Sequence, residues 1–452
     1  MLRRILIANR GEIALRIVRA ARALGIESVL AASAADRDSM AAREADRTLV
    51  IGPAPARASY LDARLIVHAA KVGGCDGLHP GYGFLSERQS LARLCAEEGI
   101  IFVGPSADAI AAVGDKLAAR RLAQSAGVPM VPGSGRLDSA QEAIAFAGEV
   151  GFPVVTKASA GGGGRGMVVA RNAADLATGF ERAAAEAREV FGDGTLYVEK
   201  YVERARHVEV QVMGDGTGNI VHFGERDCSL QRRYQKMVEE APAIILPDET
   251  RGRLHQAAVD LLAAISYRNA GTVEFLYDVD ADAFYFMEVN ARIQVEHPVS
   301  EMITGTDLIQ LQLRVAAGDA LPIDQRDVTV RGHAIEARIL AEDPGRNFAP
   351  SPGRLTRWRP PQGPGIRLDT AMEEGVVIPP FYDSMIAKLI VHATDRQQAV
   401  ALLLDALERF EVAGVATNID LLRALATHPD FIANRLDTRW LETVLLPGYG
   451  QR

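Results

Sequence analysis

Residues Gly271–Pro298 read GTVEFLYDVDADAFYFMEVNARIQVEHP. TVEFLY and FYFMEVN are rich in β-branched and aromatic residues, and the acidic loop DVDADA separates them. The pair predicts an antiparallel hairpin. Side chains alternate faces along a strand, so Glu288 and Asn290 point the same way. One hairpin register sets Glu274 directly opposite Glu288. Two like charges in direct opposition are destabilising. A divalent cation would relieve the conflict, because two carboxylates and an amide oxygen are hard ligands suited to Mg²⁺ or Mn²⁺. The bland alternative is a solvated, metal-free acidic face, and the neighbouring residues weigh against it.

ARIQVEH continues beyond those three residues. If it is extended, Arg292, Gln294 and Glu296 share a face as a cation, an amide and a carboxylate. Together they suit a small-anion pocket with its own base. ERDCSLQRRYQKMVEE adds Glu225, Arg226, Asp227, Gln231, Arg232, Arg233, Lys236, Glu239 and Glu240. Its mixed signs and irregular spacing form no helical stripe, which favours site lining over a solvated face.

KASAGGGGRGM, Lys157–Met167, lies between two β-type segments, FPVVTKAS and MVVAR. A glycine-rich turn between strands reads as a flap. Its N–H groups can approach and cradle phosphate oxygens. Lys157 precedes the glycines, so the run is not G-x-x-x-x-G-K-[ST]. Alone, it reads equally well as a ligand-free hairpin; the acidic hairpin tips the balance. VEKYV, residues 198–202, offers strand backbone that could bind an adenine edge. His207 fits a ligand contact or a strand surface, and Met167 fits core or an apolar nucleotide wall.

The chain has 452 residues, enough for several domains. RILIAN, GEIALRIVRAARALG and SVLAAS alternate strand, helix and strand, which predicts an α/β parallel sheet over roughly the first 110 residues. The turn after the first strand is NRGE rather than G-x-G-x-x-G, so no nucleotide is placed there. Residues of about 136–203 form a small unit around the glycine run. The most polar cluster follows, and a last unit spans about 330–445. A net charge of −8 argues against nucleic acid as the main partner. Three cysteines without a CxxC fit packing residues in a reducing compartment, and no apolar run is long enough for a membrane span. These features read as cytoplasmic.

With these residues in view, the chain closely resembles the biotin carboxylase family of ATP-grasp enzymes. The resemblance runs from ILIANRGEIALRI through HPGYGFLSE, KASAGGGGRGM, HVEVQV, ERDCSLQRR, NARIQVEHPVSE and GHAIEARILAEDP to YDSMIAKLI, nearly the whole chain. NARIQVEHPVSE is highly specific; the glycine run is not. The resemblance implies a multidomain α/β and α+β fold. An N-terminal Rossmann-like parallel sheet would cover about residues 1–113. An ATP-grasp core would span about 114–317 with a mobile lid at about 131–203, and a C-terminal domain about 330–445.

It also implies site roles. Lys116 and Lys157 would contact phosphates, and Gly163 and Gly164 would close over them. Glu199, Lys200, Tyr201 and Val202 would hold adenine, with Met167, His207 and Gln231 nearby. Glu274, Glu288 and Asn290 would bind metal. Lys236, Arg292, Gln294 and Val295 would hold bicarbonate, and Glu296 would deprotonate it. Arg338 would face the biotin ureido oxygen, with Tyr82 nearby. Two positions depart from the pattern: Tyr234 stands where histidine is common, and Ala160 replaces the first glycine of a longer run. The resemblance further implies ATP, Mg²⁺ or Mn²⁺, and biotin on a separate carrier protein. Carboxyltransferase subunits and a homodimer are expected as partners. The final acceptor would be acetyl-CoA or another acyl-CoA, with pyruvate or urea as rivals. A carboxylate–amine ligase of the same superfamily is a further alternative.

Overall fold

The computed structural model describes residues 2–158, 167–191 and 194–449. Strand Arg4–Ile7 carries Ile5, Leu6 and Ile7 without solvent exposure, and burial on both faces suits the middle of a parallel sheet. Five parallel strands form that sheet, in the spatial order 47–52, 27–33, 4–7, 77–79, 101–102. The expected α/β opening is therefore present. The NRGE turn has a local use. Asn9 donates to the carbonyls of Pro80 and Tyr82, both at 2.7 Å, and so fixes the loop that carries Tyr82.

The unit expected as a lid contains helices Ala140–Val150 and Ala173–Phe191. They cover an antiparallel sheet whose central strand is Val154–Ala158, flanked by Val168–Ala170 and Leu196–Lys200. Ala143, Ala147, Leu176, Phe180, Ala183 and Val198 give it a separate small core. A unit with its own core can tilt without breaking the core below it. The expected flap glycines Gly163 and Gly164, with Ala160, lie outside the described residues.

An antiparallel sheet of eight strands supports the site. Its order is 283–290, 268–278, 205–215, 220–232, 235–241, 333–340, 385–393, 366–370. It therefore runs without a break across the division expected near residues 317–330. Strand Ala205–Asp215 shows how the sequence builds both faces. Val208, Val210 and Val212 join the apolar cluster under helix Asp248–Ala263. His207, Glu209 and Gln211 alternate with them and line the opposite face. Among the described residues, no helix is long and apolar enough to cross a membrane. The three cysteines are buried and unpaired.

One ion-pair node makes the sheet pH-sensitive away from the site. Arg396 grips Glu240 through Nε at 2.6 Å and Nη2 at 2.9 Å, and His333 Nε2 lies 2.9 Å from the same carboxylate. Burial alone would raise the Glu240 pKa, but His333 and Arg396 outweigh it and hold it at about 2. A depressed carboxyl stabilises the fold above its unfolded value, and that stabilisation is lost as pH falls through the folded value. Glu240 should thus contribute about 3 kcal/mol that disappears from about pH 4.5 downward. Glu240→Gln is expected to shrink the drop in melting temperature between about pH 5 and pH 3. An unchanged drop would count against this assignment.

Candidate active site

The hairpin Arg268–Asp278/Ala283–Asn290 has the register that sets Glu274 against Glu288. The ladder shifts at the next pair, Phe275 to Phe286, leaving Met287 as the extra, exposed residue. Glu274 is nearly buried, whereas Glu288 sits on the open side. Partial desolvation by the surrounding protein, and then the Glu274 charge, raise the Glu288 pKa. Asn290 Nδ2 donates to Glu274 Oε1 at 2.8 Å. Glu274 and Glu288 are thus register partners and the Asn290 amide touches Glu274, a neighbourhood of oxygen donors whose chemistry suits a hard divalent ion.

Lys236 occupies the centre of the cluster. Its ammonium lies 2.5 Å from Glu209, 3.0 Å from Glu274 and 2.7 Å from Glu296. All three of its protons therefore find a carboxylate. Burial opposes its charge, but Glu209, Glu274 and Glu296 carry its pKa well above the usual lysine value. Fully buried Arg226 holds the far side of Glu209 at 2.6 Å.

Glu296 has no solvent exposure and precedes helix His297–Thr304. One oxygen meets Lys236; the other accepts from Arg338 Nη2 at 2.9 Å. Burial raises its pKa, but Lys236 and Arg338 outweigh burial and hold the carboxyl below the ordinary range. Glu239 behaves differently. It accepts from Arg338 Nε at 2.6 Å, yet burial and the Glu296 charge push it up to about 7. Two carboxyls sharing one guanidinium are thus driven apart, and Glu296 is the one kept ionised. Cys228 Sγ is 4.0 Å from Glu296 Oε1, and burial first of all keeps its thiol protonated.

The segment after Asn290 is not a strand. Ala291 N–H donates to Glu87 Oε1 at 3.0 Å instead of extending the ladder. Arg292 nevertheless reaches Gln294 Oε1 at 2.8 Å, Asn290 Oδ1 at 3.1 Å and Glu87 Oε2 at 3.0 Å. Gln294 and Arg292 therefore converge, while Glu296 turns separately to Lys236 and Arg338. The Val295 carbonyl accepts from Lys388 at 2.8 Å, and the Tyr82 hydroxyl donates to Glu12.

The residues expected to line a nucleotide are placed less uniformly. His207 Nδ1 meets Gln231 Nε2 at 2.8 Å, and its Nε2 lies 2.9 Å from Glu274. Glu199 is occupied by Lys157 and by Arg120 Nη1 at 2.9 Å. Lys200 turns away to the carbonyls of Gly151 and Phe152, both at 3.0 Å. The Tyr201 ring lies 5.6 Å from the Arg439 guanidinium, and Val202 is buried. Lys116 opens helix Lys116–Ser125 and is exposed. Met167 is half-buried, just before strand Val168–Ala170. Arg233 and Tyr234 form a turn with φ of 48° and 65°, which leaves Tyr234 62% exposed. Positive φ costs such side chains about 1 kcal/mol each, so the turn is held in place, in part by Arg233 N–H on Glu442.

Three family models match consecutive parts of the chain. Biotin carboxylase, N-terminal domain, matches residues 1–110. Carbamoyl-phosphate synthase L chain, ATP binding domain, matches 115–324, and Biotin carboxylase C-terminal domain matches 336–443. Biotin carboxylase 1 of Bacillus subtilis (strain 168) is 50% identical over 444 residues, 98% of this chain and 99% of its own. The chain belongs to the biotin carboxylase family. It is accordingly an ATP-dependent ligase. The crystal structure of a biotin carboxylase–βγ-ATP complex from Campylobacter jejuni superposes with a TM-score of 0.91 at 47% identity, covering 98% of this chain and 99% of that one. The biotin carboxylase domain dimer of Hydrogenobacter thermophilus 2-oxoglutarate carboxylase, solved with MgADP, ADP and bicarbonate, gives 0.89 at 46% identity, covering 98% and 97%.

Several residues packed around this cluster carried no role in the sequence: Glu209 and Glu87 touch it directly, and Glu12 and Lys388 lie behind it. Glu209 had a usable signal, because it alternates with His207 and Gln211 in HVEVQV. Glu87 had none, since its partners Ala291 and Arg292 are two hundred positions away.

Proposed function

We propose that this chain carboxylates biotin held on a separate carrier protein, the first half-reaction of an acetyl-CoA or other acyl-CoA carboxylase. The observation that carries the reading is the Lys236–Glu296–Arg338–Glu239 arrangement, an ionised base between two cations beside a raised carboxyl.

Bicarbonate is a poor carboxyl donor because hydroxide leaves badly. Arg292, Gln294, the Val295 backbone and Lys236 would hold it, and Glu296 would take its hydroxyl proton. The freed oxygen attacks the γ-phosphorus of ATP and ADP leaves, giving carboxyphosphate. Its C–O bond then breaks to CO₂ and phosphate. Phosphate accepts the biotin N1′ proton, and N1′ attacks CO₂. Arg338 offsets charge on the ureido oxygen, with Tyr82 on the flank. Lys116 and Lys157 would hold phosphates, with Gly163 and Gly164 closing over them. Lys157 must leave Glu199 to do so. Glu199, Lys200, Tyr201, Val202, Met167, His207, Gln231 and Tyr234 would line the nucleotide. Glu274, Glu288 and Asn290 would hold Mg²⁺ or Mn²⁺, which offsets phosphate charge when bound. The lid keeps water from the labile intermediate.

Arg338→Ala tests the division of labour. Carboxylation of free biotin should fall about 100-fold while the dissociation constant for ATP stays within about threefold. Equal losses in both would remove Arg338 from its proposed role.

A further inference from the structure

Lys388 sits in strand Met385–Ala393 and has no solvent exposure. The register sets it directly opposite Arg338. Its ammonium faces several parts of the chain. It donates to the Val295 carbonyl at 2.8 Å, lies 3.2 Å from Glu12 Oε1, and lies 3.8 Å from Asp369 Oδ2. Glu12 in turn accepts the Tyr82 hydroxyl, and the Tyr82 ring centroid is 6.0 Å from Nζ. Glu12 and Tyr82 come from the N-terminal unit. Val295 comes from the segment leading to Glu296, and Asp369 from the neighbouring strand Ile366–Thr370.

Packing alone does not call for a charge here, because apolar replacements of buried ion pairs are often neutral or stabilising. Asp369 already has a partner, gripped by Arg367 Nε and Nη2, both at 2.8 Å. Glu336 shares a face with Arg338 and is fully buried, and both its oxygens lack hydrogen-bond partners among the described residues. Burial raises its pKa well above the ordinary carboxyl value, and it makes no hydrogen bond to Lys388. Two directed contacts remain for the Lys388 ammonium: the Val295 carbonyl and Glu12.

Those contacts bridge the two halves of the chemistry. The Val295–Glu296 peptide belongs to the side where bicarbonate is activated. The Glu12–Tyr82 pair belongs to the wall beside Arg338, where biotin is carboxylated. We propose that Lys388 is a positioning residue that fixes the spacing between these two sides, so that CO₂ released at one is captured at the other. The proposal rests on the biotin carboxylase reading given above. Glu296 keeps its own clamps, Lys236 and Arg338, and bicarbonate keeps the side chains of Arg292, Gln294 and Lys236, so removing Lys388 should spare phosphoryl transfer and impair capture.

The test compares Lys388→Met with the double variant Lys388→Met/Glu12→Gln. In the double variant no unpaired charge remains at position 12, and the amide oxygen placed there can still accept from Tyr82. It thus keeps the experiment readable if the single variant does not fold. Bicarbonate-dependent ATP cleavage and free-biotin carboxylation are measured together, with Mg²⁺ present. ATP cleavage and the KM for ATP should stay within about threefold, while kcat for biotin carboxylation falls about 30-fold. ATP cleaved per biotin carboxylated then rises about tenfold or more. A proportional fall in both rates, as lost folded protein would give, overturns the proposal, and so do two wild-type rates. Wild-type protein that cleaves ATP with bicarbonate but never carboxylates biotin overturns the functional reading itself.

Discussion

Glu296→Gln should lower bicarbonate-dependent ATP turnover by about 10²–10⁴-fold, the range for losing a general base. The substitution keeps the shape of the side chain and a hydrogen-bonding oxygen. It removes the ability to take a proton. Glu296 is suited to that task because Lys236 at 2.7 Å and Arg338 at 2.9 Å keep it ionised against full burial. None of its hydrogen bonds reaches a residue proposed to line adenine, so the dissociation constant for ATP should stay within about threefold. Isothermal titration with ATP, beside a phosphate-release assay with and without bicarbonate, separates the two effects. Turnover within about threefold of wild type would remove Glu296 as the base.

Lys236→Met should have the larger structural effect. It takes the shared cation from Glu209, Glu274 and Glu296, which all lie within 3.0 Å of it and are nearly or fully buried. Removing one partner of a buried ion pair costs about 3–5 kcal/mol, because the remaining charge has no compensation. Arg226 and Arg338 still hold Glu209 and Glu296, but among the described residues His207 is the remaining charged-type partner of Glu274. At roughly 2–4 °C per kcal/mol, the melting transition of this part should fall by about 10 °C. Turnover should also be lost, since the same ammonium is a proposed bicarbonate contact. Millimolar Mg²⁺ should recover part of the lost melting temperature, as a divalent ion takes over some of the charge. A melting temperature unchanged to within about 2 °C would show that the carboxylates do not depend on Lys236.

The hairpin pair Glu274 and Glu288 was legible because its register is local: two strand-like runs and a short loop fix which residues face each other. The alternating helices and strands of the opening sheet were legible for the same reason. The extended reading of ARIQVEH failed because Glu87, distant in sequence, takes the Ala291 N–H that would have continued the ladder. The continuity of the eight-stranded sheet was also hidden, since strands 235–241 and 333–340 pair across nearly a hundred residues. Lys388 left a trace in its lone charge within MIAKLIVHA. Nothing nearby in sequence named its partners, because Glu12 and Val295 reach it through tertiary packing. Local pairing is written in short windows; long-range ion pairs are not.

The central claim is that ATP activates bicarbonate before biotin is carboxylated. Bicarbonate labelled with ¹⁸O tests it directly, with free biotin, Mg²⁺ and ATP, in a run short enough to limit exchange with water. If a bicarbonate oxygen attacks the γ-phosphorus and the C–O bond later breaks, that oxygen stays on phosphorus. Mass spectrometry should then find one ¹⁸O in each phosphate released alongside carboxybiotin. Unlabelled phosphate formed at the same rate would mean that water or another nucleophile attacks ATP, and would contradict the account.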